Sequence, residues 1–228
     1  MKAMNEKAAV GEKAAVDYVK DGMVVGLGTG STVYYTILKI GEMVRKGLKI
    51  TGVATSVQTE KLAKEQGIPL LSLDEVKTID VAIDGADEIN HYFHAIKGGG
   101  GALLREKIIA KASKQFVVVA DSKKVVQSLG EFPLPVEIVP FGAGKTEGYI
   151  QSFGCQTALR MQGDSPYVTD NGNYIIDCRF GEIKDPEQLE KELNNITGVV
   201  ENGLFVDMVK HVITIGEDKQ AILLDKLE

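Results

Sequence analysis

Between residues 84 and 107 the chain sets Asp84-Gly-Ala-Asp-Glu88, Lys97-Gly-Gly-Gly-Gly101 and Arg105-Glu-Lys107 in close succession. Carboxylates beside a lysine can move protons and steady a developing anion. Consecutive glycines let backbone N–H groups approach a ligand, and they cost chain entropy where no such approach is needed. A hydrophobic core gains nothing from this combination. It is therefore expected to be a site rather than a polar loop between a strand and a helix.

A second stretch, Gly26-Leu-Gly-Thr-Gly-Ser-Thr32, follows an apolar run and opens a helical one. Backbone N–H groups and the helix dipole bind phosphate at such a junction. A dinucleotide fingerprint needs glycine where Ser31 stands and an acid where Thr55 and Ser56 stand, so nicotinamide binding is not expected. Adjacent hydroxyls suit a terminal phosphomonoester; the plain alternative is a tight turn with a Ser/Thr cap. Gly142-Ala-Gly-Lys-Thr146 is a decoy, because a phosphate loop needs glycine at the position of Val139. Asp84 ends the apolar alternation Ile79, Val81, Ile83 and Asp121 ends the apolar run Phe116–Ala120, both at the carboxyl ends of strands where open α/β sheets bind ligands. Glu106 lies among Leu103, Leu104, Ile108 and Ile109. It reads equally as a buried general base with a raised pKa or as a surface glutamate paired with Arg105 or Lys107. His91 and His94 have no third ligand spaced for them, so no metal site is expected. Cys155 and Cys178 form no C-x-x-C pair and read as reduced, mostly buried thiols.

The elements that must hold these residues alternate. Helical periodicity covers about 5–20, 31–46, 58–66 and 102–112, and strands are expected at Met23–Leu27, Ile50–Ala54, Leu70–Leu71, Val81–Ile83 and Phe116–Ala120. That alternation predicts an α/β fold, a Rossmann-like parallel sheet with helices on both faces. After Phe132-Pro-Leu-Pro135 the pattern changes to strands at Val136–Val139, Thr157–Met161, Tyr167–Val168 and Tyr174–Cys178. Asn171-Gly172 signals a hairpin, and Asp185-Pro186 starts a helix. A smaller α+β domain over 131–204 is expected. Phe205–Ile215 and Ala221–Leu224 should return as strands to a catalytic domain formed by 1–130 and 205–228.

The 228 residues are 44% hydrophobic and 25% charged, as in a soluble globular chain. A net charge of −6 argues against nucleic acid as main partner and leaves room for a small anion held by local lysines. No apolar run approaches the ~18 residues of a membrane span, and the N-terminus lacks the apolar core of a signal peptide. A cytoplasmic location with no membrane partner is expected.

Taken together, Gly28-Thr-Gly-Ser-Thr32, Asp84-Gly-Ala-Asp-Glu-Ile-Asn90, Lys97-Gly-Gly-Gly, Arg105-Glu-Lys-Ile-Ile109 and Phe132-Pro-Leu-Pro-Val-Glu-Ile-Val-Pro140 resemble type A ribose-5-phosphate isomerases. Val168-Thr-Asp-Asn-Gly-Asn173, Gly198-Val-Val200 and Gly203-Leu-Phe205 extend the likeness along nearly the whole chain. Two departures stand out: Gly101, where alanine is common, and the stretch Phe141–Gly148. The resemblance implies interconversion of D-ribose 5-phosphate and D-ribulose 5-phosphate without cofactor or metal, in a homodimer or homotetramer. It implies Glu106 as the base that moves a proton between C2 and C1 through a cis-enediolate, with Asp84, Asp87 and Lys97 assisting ring opening and stabilising the enediolate. Thr29, Gly30, Ser31, Thr32, Lys7 and Lys124 are implied around the phosphate, and Gly85, Ala86, Gly98, Gly99 and Gly100 along the substrate. Lys124 is preferred to Lys123 because of its distance from Phe132 and Pro133. Rival readings are a sugar-phosphate sensor module, which would normally bring a basic DNA-binding segment not seen here, and a sugar-phosphate deaminase or coenzyme A transferase on a related sheet.

Overall fold

A computed structural model describes residues 5–227. Helix α1 (Glu6–Tyr18) leads to β1 (Val24–Leu27), α2 (Val33–Arg45), β2 (Thr51–Ala54), α3 (Val57–Glu65), β3 (Val81–Gly85), β4 (Glu88–Asn90), β5 (Ala95–Ile96), α4 (Leu103–Ala112), β6 (Phe116–Val119) and β7 (Val125–Val126). There follow β8 (Leu134–Ile138), α5 (Ala143–Gln151), β9 (Gln156–Leu159), β10 (Met161–Gln162), β11 (Ser165–Pro166), β12 (Tyr174–Arg179), α6 (Pro186–Asn194), β13 (Val199–Asn202), β14 (Leu204–Phe205), β15 (His211–Ile215) and β16 (Ala221–Leu223). Side-chain caps start three of the helices: Asn5 accepts from Ala8 N, Ser56 from Thr59 N, and Asp185 from Gln188 N with Pro186 at the first helical position. None of the described helices is long and apolar enough to cross a membrane.

The main sheet has the order β16-β15-β6-β3-β1-β2 and is parallel except for β16, which runs antiparallel on β15. Alternation sorts its side chains between two cores. Val25, Leu27, Val81, Ile83, Val117 and Val119 face α1 and α2 and pack on Val10, Ala14, Val33 and Ile37. Ala82, Phe116, Val118 and Val212 face the other side, where α4 contributes Ile109 and Ala110. Asp84 lies two residues beyond Ala82, so its side chain points to the α4 side. The strand order reverses between β1 and β3, the place where such sheets bind ligands.

An antiparallel sheet, β13-β8-β12-β9, carries α5 and α6 on its own core of Val136, Ile138, Ile150, Ile176 and Leu193. A third sheet, β14-β5-β4-β7, joins short segments from both halves of the chain.

Some elements differ from those read in the sequence. Leu70 makes only one bridge, to Gly52, because the chain turns at once into a 3₁₀ turn at Leu73–Glu75. The expected strand at Thr157–Met161 breaks into β9 and β10, and β11 ends at Pro166, before Tyr167. Asn171-Gly172 does form a turn, closed by Gly172 N to Thr169 O, but no hairpin: β12 pairs with β8 and β9. Phe205–Ile215 divides between the third sheet and β15. Pieces of two or three residues carry no periodicity, which is why the third sheet has no signature in the sequence.

Candidate active site

The loop after β1 and the end of β3 meet at the switch point. Asp84 Oδ1 accepts from Thr29 N at 3.0 Å and Gly85 N at 2.7 Å. A Cβ on Gly28 would lie 2.1 Å from that oxygen, so only glycine lets the loop come this close. Beneath the loop the Thr29 hydroxyl contacts Thr55 Oγ1 and Ser56 Oγ at 2.7 Å each and Thr59 Oγ1 at 3.0 Å. That hydroxyl, like the Thr29 N–H, is engaged inside the protein and is not offered to the cleft. Ser31 is exposed at the start of α2, and Lys7 Nζ reaches across from α1 to its Oγ at 2.8 Å. Thr32 precedes α2 without capping it through its side chain.

Lys97 is held at the end of β5, where its N–H donates to Gly203 O at 2.9 Å. Its ammonium lies 3.0 Å from Asp84 Oδ2 and 3.1 Å from Glu106 Oε2, and it donates to the Gly85 carbonyl. All three side chains are at most 3% exposed. Glu106 is therefore buried on the cleft side of α4, which decides against the surface-glutamate alternative. The ammonium is close to Asp84 Oδ2 and Glu106 Oε2 but poorly aligned with either, so both buried oxygens keep acceptor capacity. Burial and the neighbouring Asp84 charge push the Glu106 carboxyl from 4.5 up to about 8, against the pull of Lys97. Asp84 is also raised, by burial first, with Lys97 and the Gly85 and Thr29 amides opposing. Burial alone would lower Lys97, but the Asp84 and Glu106 charges outweigh it and hold the ammonium above its ordinary value. A carboxyl that titrates near neutrality beside a fixed ammonium can take up and return a proton while the cation faces a developing anion.

A small cleft above this cluster is lined by Thr29, Gly30, Ser31, Thr32, Gly85, Ala86, Asp87, Lys97, Gly98, Gly100, Glu106 and Lys124. Asp84 sits behind Lys97, and Gly99 turns its N–H to Asp87 Oδ2 at 2.7 Å. Of the residues implied for catalysis and substrate binding, all but Lys7, Asp84 and Gly99 line this cleft, and those three contact residues that do, whereas Asp121 borders the neighbouring groove. Lys124 lines it with its ammonium 5.6 Å from the Phe132 ring, whereas Lys123 borders only the neighbouring groove, with Asp121 and Glu88. Glu88 is buried and accepts from Gly130 N and Phe132 N, so that acid ties down a loop.

The sequence pointed to none of the residues that brace this site from the second sheet. Arg160 donates from Nη1 to Gly98 O at 2.8 Å and Gly99 O at 3.3 Å. The Tyr167 hydroxyl sits 2.2 Å from where a Cβ on Gly101 would be, and Gly101 has φ +80°, so this chain's fourth glycine follows from its tyrosine. Such contacts join positions about 60 residues apart and leave no local pattern. Phe141–Gly148, the other departure, enters and forms most of α5, with Phe141 93% exposed and away from the cleft. Cys155 and Cys178 are free and buried. His94 lies 3.5 Å from Asp207, and among the described residues no group of three His, Cys, Asp or Glu could hold a metal.

Residues 51–219 match the family model for ribose 5-phosphate isomerase A (phosphoriboisomerase A). A ribose-5-phosphate isomerase A of Bacillus mycoides is 56% identical over 211 residues, covering 92% of this chain and 95% of that protein. One from Listeria monocytogenes is 51% identical over 224 residues, 98% and 100% of the two chains. The ribose 5-phosphate isomerase of Plasmodium falciparum superposes with a TM-score of 0.93 at 37% identity, covering 97% and 98%. A D-ribose-5-phosphate isomerase in complex with phospho-erythronic acid gives 0.93 at 42% identity, covering 98% and 100%. With the fold and the relatives agreeing over nearly its full length, the chain belongs to the ribose-5-phosphate isomerase A family.

Proposed function

We infer that the chain interconverts D-ribose 5-phosphate and D-ribulose 5-phosphate, the aldose–ketose step of the non-oxidative pentose phosphate pathway, by proton transfer through a cis-enediolate. One observation carries the mechanism: Glu106, with a pKa of about 8, stands 3.1 Å from the Lys97 ammonium on the wall of the cleft. In the open-chain aldose Glu106 removes the C2 proton, and the electron pair forms the C1–C2 double bond of the enediolate. As Glu106 becomes neutral its hold on Lys97 weakens, and the ammonium is released towards the new negative charge on oxygen. Glu106 returns the proton to C1 while the O2 hydroxyl proton leaves and O1 gains one, which completes the ketose. Asp84 keeps Lys97 charged. Asp87, oriented by Gly99 N–H, faces the cleft and handles the hydroxyl proton in ring opening.

The phosphate is assigned to Ser31 with Lys7, the amides at the start of α2, and Lys124. Unphosphorylated ribose should therefore be a very poor substrate, because binding energy from the remote phosphate positions the sugar. Ser31→Ala weakens ribose 5-phosphate binding by about 1.5–3 kcal/mol, the worth of a hydrogen bond to a charged group, and leaves residual turnover of ribose unchanged. Kinetics of both sugars on both proteins test this; equal damage to the two substrates moves the phosphate elsewhere.

Residues 1–130 with 205–228 are proposed as the catalytic domain and 131–204 as an inserted one, a division supported by the separate antiparallel sheet of 131–204, whose core also takes in Ile96, Leu129 and Val206. The two free thiols support a reducing compartment such as the cytoplasm. A homodimer or homotetramer is proposed, with the exposed Phe141 and Tyr149 as candidates for burial; light scattering at the 24.6 kDa monomer mass would overturn it.

A further inference from the structure

The glycine loop that supplies Lys97, Gly98 and Gly100 to the cleft is gripped from outside by a side chain of the second sheet. Arg160 lies between β9 and β10, and its main chain is fixed on both sides, by Arg160 N to Ile175 O and Tyr167 N to Arg160 O, each 2.8 Å. One edge of its guanidinium is locked on Asp177, with Nε to Oδ2 at 3.0 Å and Nη2 to Oδ1. The remaining nitrogen, Nη1, donates to the carbonyls of both Gly98 and Gly99. A peptide whose carbonyl is drawn one way turns its N–H the other way. The Gly99 carbonyl and the Gly98 carbonyl are drawn towards the second sheet, while Gly99 N–H is aimed at Asp87. Tyr167 closes the clamp, its ring 6.0 Å from the guanidinium and its hydroxyl against Gly101. Four glycines in a row have little intrinsic preference for this conformation, so an external brace must select it.

We propose that Arg160 is a positioning residue for the isomerisation, holding the Gly98–Gly99 and Gly99–Gly100 peptides so that Gly99 N–H keeps Asp87 oriented and Gly100 N–H is turned to the cleft where the enediolate forms. This rests on the isomerase reading above. Arg160 does not line the cleft; it acts through the loop. The phosphate end, at Ser31 and Lys7, lies on a different element and is not braced by Arg160.

The test compares Arg160→Met and Arg160→Lys with the unaltered protein on ribose 5-phosphate. Phospho-erythronic acid, whose planar carboxylate resembles an enediolate, and inorganic phosphate serve as inhibitors, and thermal unfolding is followed alongside. Arg160→Met should lower kcat by about 10²-fold, the scale of a small misplacement of catalytic groups, with KM moving far less. Inhibition by phospho-erythronic acid should weaken in step with kcat/KM, and inhibition by phosphate should not change. Arg160→Lys should recover part of kcat, since an ammonium reaches one carbonyl but cannot also hold the Asp177 fork. An Arg160→Met enzyme with kcat within about twofold of the unaltered protein overturns the proposal, as does equal weakening of both inhibitors together with a lowered unfolding temperature. Should the methionine variant fail to fold, Arg160→Lys decides: reduced kcat with unchanged phosphate inhibition supports the clamp, and unaltered kinetics overturn it. Failure of the isomerase reading itself is distinct, for then the unaltered protein leaves ribose 5-phosphate unconverted.

Discussion

Two lysines flank the Phe205 ring, Lys97 with its ammonium 5.3 Å and Lys107 5.1 Å from the centroid. Each is only 2% exposed in its side chain, and each faces two carboxylates at about hydrogen-bond distance. Each cluster is one lysine between two carboxylates. They differ in what surrounds the acids. Asp84 and Glu106 are sealed from water, so their charges compete and Glu106 rises to about 8. Glu190 and Glu201, the partners of Lys107, keep 19% and 15% exposure and lie on α6 and β13 of the second sheet. Solvation of those acids makes the Lys107 cluster a strap that ties α4 to the second sheet. Adjacent residues of one helix turn are thereby divided between chemistry and fastening, and burial of the counter-charges makes the division.

Removing the base should separate the clusters most sharply. Glu106→Gln is expected to keep the fold and substrate binding while kcat falls by about 10²–10⁴-fold or more, read from kinetics with a melting curve alongside. Near-normal kcat would take Glu106 out of the mechanism, and a collapsed melt would make it as structural as Lys107.

The pH response should be the next largest. Because the free protein's Glu106 titrates near 8, kcat/KM should fall about tenfold per pH unit below that value. Stability should move the opposite way. Between 4.5 and about 8 the native Glu106 holds a proton that the unfolded chain has released, so stability is fully present below 4.5 and declines as pH rises to about 8. Asp84, also raised, acts in the same sense. Denaturant titrations across this range, on the parent and on Glu106→Gln, read the contribution directly; an identical slope in both would contradict it.

Lys107→Met should show the smallest effect, and on stability instead of rate. The stranded Glu190 and Glu201 can turn to water, so a loss of about 1–3 kcal/mol is expected with kcat per folded molecule little altered. A fall in kcat comparable to that of Glu106→Gln, at an unchanged melting temperature, would erase the distinction.

Much of this was legible along the chain, for identifiable reasons. The strand–helix alternation over residues 23–120 follows from apolar periodicity, and periodicity survives folding because each element buries one face. The cleft was legible because Gly28–Thr32 and Asp84–Asp87 are local runs at the ends of β1 and β3, which the parallel sheet brings to one edge, and Lys97–Gly100 is a local run too, though β5 of the third sheet delivers it there. The two-residue strands β5, β7 and β14 were not legible, since nothing so short repeats. Glu106 was half legible: its neighbours suggested burial, but whether it was a buried base or a surface glutamate paired with Arg105 or Lys107 was a matter of helix rotation.

The amino-acid sequence by itself determined the order of the elements, the glycine turns and the set of residues at the strand ends, because these depend on local sterics and on hydrophobic period. Tertiary structure alone decided which acids lost their water, and with that which lysine cluster does chemistry. It also decided that Arg160 and Tyr167, about 60 residues further along, grip the glycine loop. Desolvation and long-range contact are properties of the packed whole, and no window of residues contains them.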